Sequence, residues 1–143
     1  MALLYLVNIA HRGAAPSYRG MTRINVVPVE ELSRQHLIAE YRELPRIFAL
    51  VRAAEARGEL PQDRRNPICY TLGTGHCRFF YPRLTYLVER QRALIAEMKR
   101  RGYVPNFEMS DDLLRDIPEK WFQDWIPDDA ALEINRARIR ERS

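Results

Sequence analysis

The chain has 143 residues, a formal net charge of +4, 46% apolar residues and 29% charged ones. That composition excludes a disordered protein, and no apolar run is long enough for a membrane-spanning helix. Two cysteines, Cys69 and Cys77, exclude a disulfide-dense scaffold, and the seven residues between them are not a zinc-ligand spacing. They read as free thiols in a reducing, cytoplasmic setting. The 23 basic residues are 21 arginines plus Lys99 and Lys120. Basicity is weak overall but gathers at the end, where residues 134–143 hold four arginines against Glu141.

Residues 1–20 differ in character from the rest of the chain. Met1 to Ala10 is apolar but short, and His11 to Gly20 is rich in Gly, Ala, Pro, Ser and Arg. No charge precedes the apolar run, which argues against a signal peptide. The segment is expected to be a non-native or disordered extension, with one helical domain over residues 21–143.

Residues 30–57 predict a long helix. Leu37, Tyr41, Leu44, Ile47, Phe48 and Val51 cover an arc of about 120° that needs a core to face. Gln35, His36, Arg42, Glu43 and Arg46 fill an opposite arc of about 120°, with Glu40 at its edge. Pro45 removes the hydrogen bond to the Tyr41 carbonyl, so a kink is expected there, and Gly58 ends the pattern.

Residues 66–81 allow either a hairpin around Gly73-Thr74-Gly75 or packed irregular chain. Residues 83–101 predict a second helix with Leu84, Leu87, Val88, Ile95 and Met98 inward and Gly102 as its C-cap. Arg83, Arg90, Arg92, Lys99, Arg100 and Arg101 make its outer face basic. A short turn is expected from Ser110. A third helix is expected over Asp128 to Glu141, with Ala130, Ala131, Ile134 and Ala137 inward. The expectation is an all-α, single compact domain of three main helices with irregular connections.

Arg42 and Arg46, four residues apart, project together and suit phosphate, which arginine grips in two places. Glu43 between them could act as general acid or base on a nucleic-acid backbone. Solvated surface ion pairs explain the same pattern. His36 and Glu40 stand at i and i+4 but have no evident third metal ligand. Gly73-x-Gly75 lacks a P-loop lysine. His76 beside Cys77, and Trp121 with Trp125, read as buried structure.

Several ordered blocks resemble one family. Met21-Thr22-Arg23-Ile24-Asn25 and the run from Gln35 to Arg46 are similar to the phage-type endonuclease V family of pyrimidine-dimer DNA glycosylases. The run from Leu72 to Tyr81, and Arg90-Gln91 through Glu97 to Tyr103, agree in order and spacing. Asp116-Ile117-Pro118, Ile126-Pro127 and Ala137-Arg138 follow. The resemblance implies a compact helical domain of base excision repair. It implies cleavage of the glycosidic bond at a pyrimidine dimer, then strand breakage at the abasic site.

It also implies the reacting groups. The nucleophile is the α-amino group of a threonine exposed when the initiator methionine is lost, which falls on Thr22; the catalytic glutamate falls on Glu43. DNA-binding residues fall on Arg23, His36, Arg42 and Arg46, with Gln35 in the same block, and on Arg138 and Arg142 toward the C-terminus. No metal or cofactor is implied. The expected partner is double-stranded DNA bearing a dimer or an abasic site, engaged by a monomer.

An α-amino group near pKa 7.7–8.0 is roughly a quarter to two-fifths neutral at about pH 7.5, whereas an ordinary lysine is about a thousandth neutral. The N-terminus therefore needs little tuning to attack. As written, 21 residues precede Thr22. A start at Met21 followed by methionine removal is the expected source of a free amine. The chain stops at Ser143 without the family's aromatic tail, which leaves lesion preference open. The alternatives are a damaged-DNA-binding protein without catalysis and a glycosylase for another lesion.

Overall fold

The computed structural model describes residues 22–142; the extension expected over residues 1–20 lies outside them. The described chain is helical and contains no strand. Its helices are α1 (Arg34–Glu43), α2 (Arg46–Ala56), the four-residue α3 (His76–Phe79), α4 (Leu84–Arg100) and α5 (Asp129–Arg142). Single 3-10 turns at Val29–Glu31, Gly73–Gly75, Asp111–Leu114 and Glu119–Trp121 punctuate the connections.

The helix expected over 30–57 is two helices. Its start is later than expected because Ser33 caps α1, its hydroxyl accepting the His36 N–H at 3.1 Å. The break falls at Leu44-Pro45, where the first bonds of α2 tighten: Ile47 N–H reaches Leu44 O at 3.0 Å and Phe48 N–H reaches Pro45 O at 3.1 Å. The Tyr41 carbonyl that Pro45 cannot serve accepts from Gln91 Nε2 of α4 at 3.0 Å. A proline break inside a core is stable when the freed carbonyl finds such a partner.

The buried faces of α1, α2 and α4 meet in one core. Leu37, Tyr41, Leu44, Ile47 and Phe48 pack there with Leu84, Leu87 and Leu94, and with Phe79, Phe80 and Trp121 from the connections. Each fully buried side chain of this size contributes roughly 1.5–3 kcal/mol of hydrophobic stabilisation. α4 ends as expected: Gly102 adopts φ 90°, and the Tyr103 N–H turns back to Met98 O at 2.9 Å.

Of the two alternatives for residues 66–81, the irregular one is found, as the chain runs without strands into the Gly73–Gly75 turn and α3. Two further expectations need correction. Arg90 is not on an outer basic face but is buried against α1. Along α5, Ala130 and Ile134 are exposed, while Ala131 and Asn135 face inward. The α5 stripe is therefore centred one position later than its apolar residues suggest, because a polar side chain has partners inside.

Candidate nucleic-acid interface and reaction site

Residues 22–27 form an extended arm with no neighbouring strand, and side chains replace the missing ladder. The Arg23 N–H lies near enough to the Glu43 carboxylate to favour its charged form. The Ile24 N–H donates to His76 Nε2 at 2.8 Å, and the Ile24 carbonyl accepts from the Tyr70 hydroxyl at 3.3 Å. The Val26 and Val27 N–H groups both donate to Asn135 Oδ1, at 2.6 and 3.1 Å. The Val27 carbonyl accepts from Arg90 Nη1 at 2.6 Å. Side chains from α1, α3, α4 and α5 thus hold one six-residue segment.

A buried polar network underlies the arm. Arg90 donates through Nε to Glu40 Oε2 at 2.8 Å and through Nη2 to Glu40 Oε1 at 3.1 Å. Asn25 Nδ2 donates to the same Oε1 at 3.0 Å, and Asn135 Nδ2 donates to Asn25 Oδ1 at 2.8 Å. Glu40 is 2% exposed and Arg90 7%, so the pair is desolvated and depends on this full set of bonds. Both Glu40 oxygens are occupied, which answers the His36 and Glu40 spacing: it is not a ready metal site. Among the described residues, no group of three or more potential metal-ligating side chains occurs.

Above the network lies an open cleft of about 270 Å³ between α1 and α5. Gln35, His36, Ala39 and Glu43 form its α1 wall, Arg138, Ile139 and Arg142 its α5 wall, and Arg23 and Asn25 its floor from the arm. Of the site residues expected from the sequence, Arg23, Gln35, His36, Glu43, Arg138 and Arg142 line the cleft, and Thr22 precedes Arg23. Thr22 is buried, and its carbonyl faces the Cys77 thiol at 3.8 Å. Arg42 and Arg46 are exposed and stand outside the cleft walls, yet their charges act on Glu43.

The electrostatics divide the site into a carboxylate and an anion-ready floor. Burial pushes the Glu43 carboxyl above the usual range, against the pull of Arg46, Arg42 and the Arg23 N–H. Its base strength is thereby increased. Arg23 is half-buried, and its pKa is pulled down first by burial and then by repulsion from Arg138 and Arg142. Three guanidinium groups that repel one another are relieved by an anion such as phosphate. Two buried polar atoms in the walls, His36 Nδ1 and Arg138 Nε, have no hydrogen-bond partner among the described residues.

Burial holds His76 neutral, with its pKa down to about 4. Its Nδ1 lies 2.8 Å from the Thr71 carbonyl, so Nδ1 carries the proton and Nε2 is free to accept from Ile24. The sequence reading of His76 as buried structure is right. It misses that the side chain fixes the arm two residues from Thr22. It also misses Asn135, whose only trace in the sequence is its i+4 spacing from Ala131 on the inward stripe.

Trp125 joins Tyr70, Phe79, Phe80 and Tyr86 in an aromatic cluster, and Trp121 is fully buried, as expected for structural residues. No helix among the described residues is long and apolar enough to cross a membrane. Residues 21–111, nearly two thirds of the chain, match the sequence profile of one family, and the chain therefore belongs to the pyrimidine dimer DNA glycosylases.

Proposed function

We propose that the protein excises pyrimidine dimers from double-stranded DNA and then cleaves the strand at the abasic site, through an imine on the α-amino group of Thr22. The working form in this reading begins at Thr22, and it acts as a monomer. The observation that carries the reading is that Arg23 and Glu43 line the same cleft, with the Arg23 backbone N–H near enough to favour the charged Glu43 carboxylate. Consecutive backbone nitrogens are joined by three bonds whose lengths total about 4.3 Å, so the Thr22 nitrogen cannot be farther than that from the Arg23 nitrogen. This supports an amine at Thr22 in the neighbourhood of Glu43.

The chemistry divides between these two groups. The neutral amine attacks the sugar C1′ as the bond from C1′ to the base breaks, and the departing base takes up a proton. Glu43 accepts the amine's proton and passes it to the ring oxygen as the bond from C1′ to that oxygen breaks, so the sugar opens to the protonated imine and Glu43 is again a base. Glu43 then removes or relays a proton from C2′, and the electron pair so released expels the 3′ phosphate, breaking the strand. Hydrolysis of the imine returns the amine. The cations at Arg23, Arg42 and Arg46 favour the neutral amine, while Glu43 alone would favour its charged form.

Arg23, Arg138 and Arg142 are assigned to phosphates, with Arg42 and Arg46 on the flanking backbone and Gln35 and His36 toward the nucleotide in the cleft. Lys99 pairs with Glu108 at 3.0 Å and Lys120 with Glu55 at 3.4 Å, so the two side-chain amines are engaged outside the cleft. Extruding a base requires a few kcal/mol of unstacking, least at a damaged step, which helps select the lesion.

The test is borohydride reduction during reaction with abasic-site DNA, using protein that begins at Thr22. The expected product is a covalent adduct whose modified peptide starts with Thr22. The same reaction with the 143-residue form, whose Thr22 nitrogen is a peptide nitrogen, should give none at that residue. Damage-specific binding without any adduct would replace this reading with that of a non-catalytic binding protein.

A further inference from the structure

We propose that Asn135 is a positioning residue that makes α5 both a phosphate-binding helix and the clamp of the reactive arm. The inference rests on the reading of Thr22 as nucleophile. Asn135 is 0% exposed, and its amide is fully committed to the arm. Its oxygen accepts two successive backbone N–H groups, and its nitrogen donates to Asn25. Through Asn25 it also reaches the carboxylate of the buried Glu40 and Arg90 pair.

Arg138 and Arg142 follow Asn135 by three and seven residues, so all three lie along one face of α5. The two arginines enter the cleft whose floor is Arg23, while Asn135 fixes the backbone three residues beyond Arg23. A phosphate gripped by this face is therefore registered to the arm through a rigid helix and a single amide. The consequence is a division of labour along α5. Arg138 and Arg142 govern how tightly DNA is held; Asn135 governs whether the held sugar meets the amine. A misplacement of about 1 Å at a reacting centre lowers rates by about 100-fold.

Asn135→Leu keeps the volume of the side chain and removes every hydrogen bond. Single-turnover cleavage of abasic-site duplex by this variant, begun at Thr22, should be slowed about 100-fold at saturating DNA, with the half-saturating concentration changed by less than about threefold. Asn135→Asp, which keeps the acceptor for Val26 and Val27, should recover most of the saturating rate. Arg138→Ala should act mainly on binding, raising the half-saturating concentration well above that of Asn135→Leu.

A wild-type saturating rate in folded Asn135→Leu, or a change confined to half-saturation, overturns the proposal. Should Asn135→Leu not fold, hydrogen exchange on the wild type decides. Val26 and Val27 amides exchanging in step with those of α5 support the clamp, and faster exchange removes it. This readout is independent of the chemistry: if wild-type protein beginning at Thr22 traps no DNA, the amine reading fails while exchange still judges the clamp.

Discussion

Glu40 and Glu43 are the same residue type, three positions apart on one helix, and the fold assigns them opposite tasks. Glu40 points between helices, where Arg90 and Asn25 occupy both of its oxygens. Glu43 borders an open cleft, with a backbone N–H and several guanidinium groups acting on it through space. A buried carboxylate with both oxygens engaged by a buried arginine is structural, since its charge is already committed to that partner. A carboxylate whose pKa is raised by burial and which faces solvent-filled space keeps the capacity to take up a substrate proton. Both acids border the cleft, so free hydrogen-bonding capacity, rather than charge or helix position, separates the reactive acid from the architectural one.

Exchanging each acid for its amide tests the contrast most severely. Glu43→Gln should reduce strand cleavage by about two to four orders of magnitude. DNA affinity and thermal stability should stay close to those of the parent, because a desolvated carboxylate is removed and no buried partner is stranded. Single-turnover kinetics with abasic-site DNA, alongside a melting curve, would show both; retained cleavage would remove Glu43 from the reaction. Glu40→Gln should behave in the reverse sense. It leaves the Arg90 charge buried without its counterion, a change that typically destabilises by about 3–5 kcal/mol. Urea unfolding of the two variants side by side would establish which acid carries stability.

The helical wheel separates core from polar face on α1 and α2, and it does so across the Pro45 break. Leu44 and Pro45 keep right-handed helical dihedrals, so the phase of the wheel survives although the hydrogen-bond ladder does not. For that reason Glu43, Arg42 and Arg46 are legible from sequence as one polar face, and the family resemblance adds Thr22, Arg23 and the α5 arginines. At 100° per residue Glu40 falls between Ile47 and Val51 on the apolar arc, so the wheel turns it inward but cannot name its partner, an arginine 50 residues later. Arg90 and Asn135 are illegible for the same reason, as each is a polar residue whose partner belongs to another element. The arm itself has no periodicity to read, because its order comes from acceptors scattered over the later helices.

A pH dependence extends the contrast, since His76 belongs with Glu40 in holding the arm. Its folded pKa of about 4 lies below the ordinary 6.5, so the unfolded chain binds a proton that the folded one refuses. The stabilising contribution is whole above pH 6.5 and is lost as pH falls from there to about 4, a change of roughly 3 kcal/mol at about 1.4 kcal/mol per pH unit. His76→Gln retains an acceptor for Ile24 but does not titrate. The stability advantage of the parent over His76→Gln should therefore shrink between about pH 7 and about pH 4.5, measured by denaturant unfolding at each pH. A gap independent of pH would mean that His76 is not held neutral.

A weaker effect distinguishes arginines that are already neutralised from those reserved for phosphate. Arg136 is half-buried on α5 and forms a two-pronged pair with Glu31, at 2.7 and 3.1 Å, and the exposed Arg92 pairs with Glu89 at 2.8 Å. Arg42 and Arg46 are exposed, stand four residues apart and flank Glu43, and neither is within ion-pair distance of an acid among the described residues. A phosphate binding at a paired arginine must first displace a carboxylate, so the net release of counterions is small. At an unpaired arginine, each contact releases close to one counterion from the duplex. Replacing Arg42 or Arg46 by Ala should lower the slope of log affinity against log salt by about 0.9 for each contact removed. Arg136→Ala should leave that slope nearly unchanged. Equal slopes for all three variants, read from DNA-binding titrations at several salt concentrations, would place the duplex elsewhere than over the Glu43 face and would break the link between the exposed acid and its substrate.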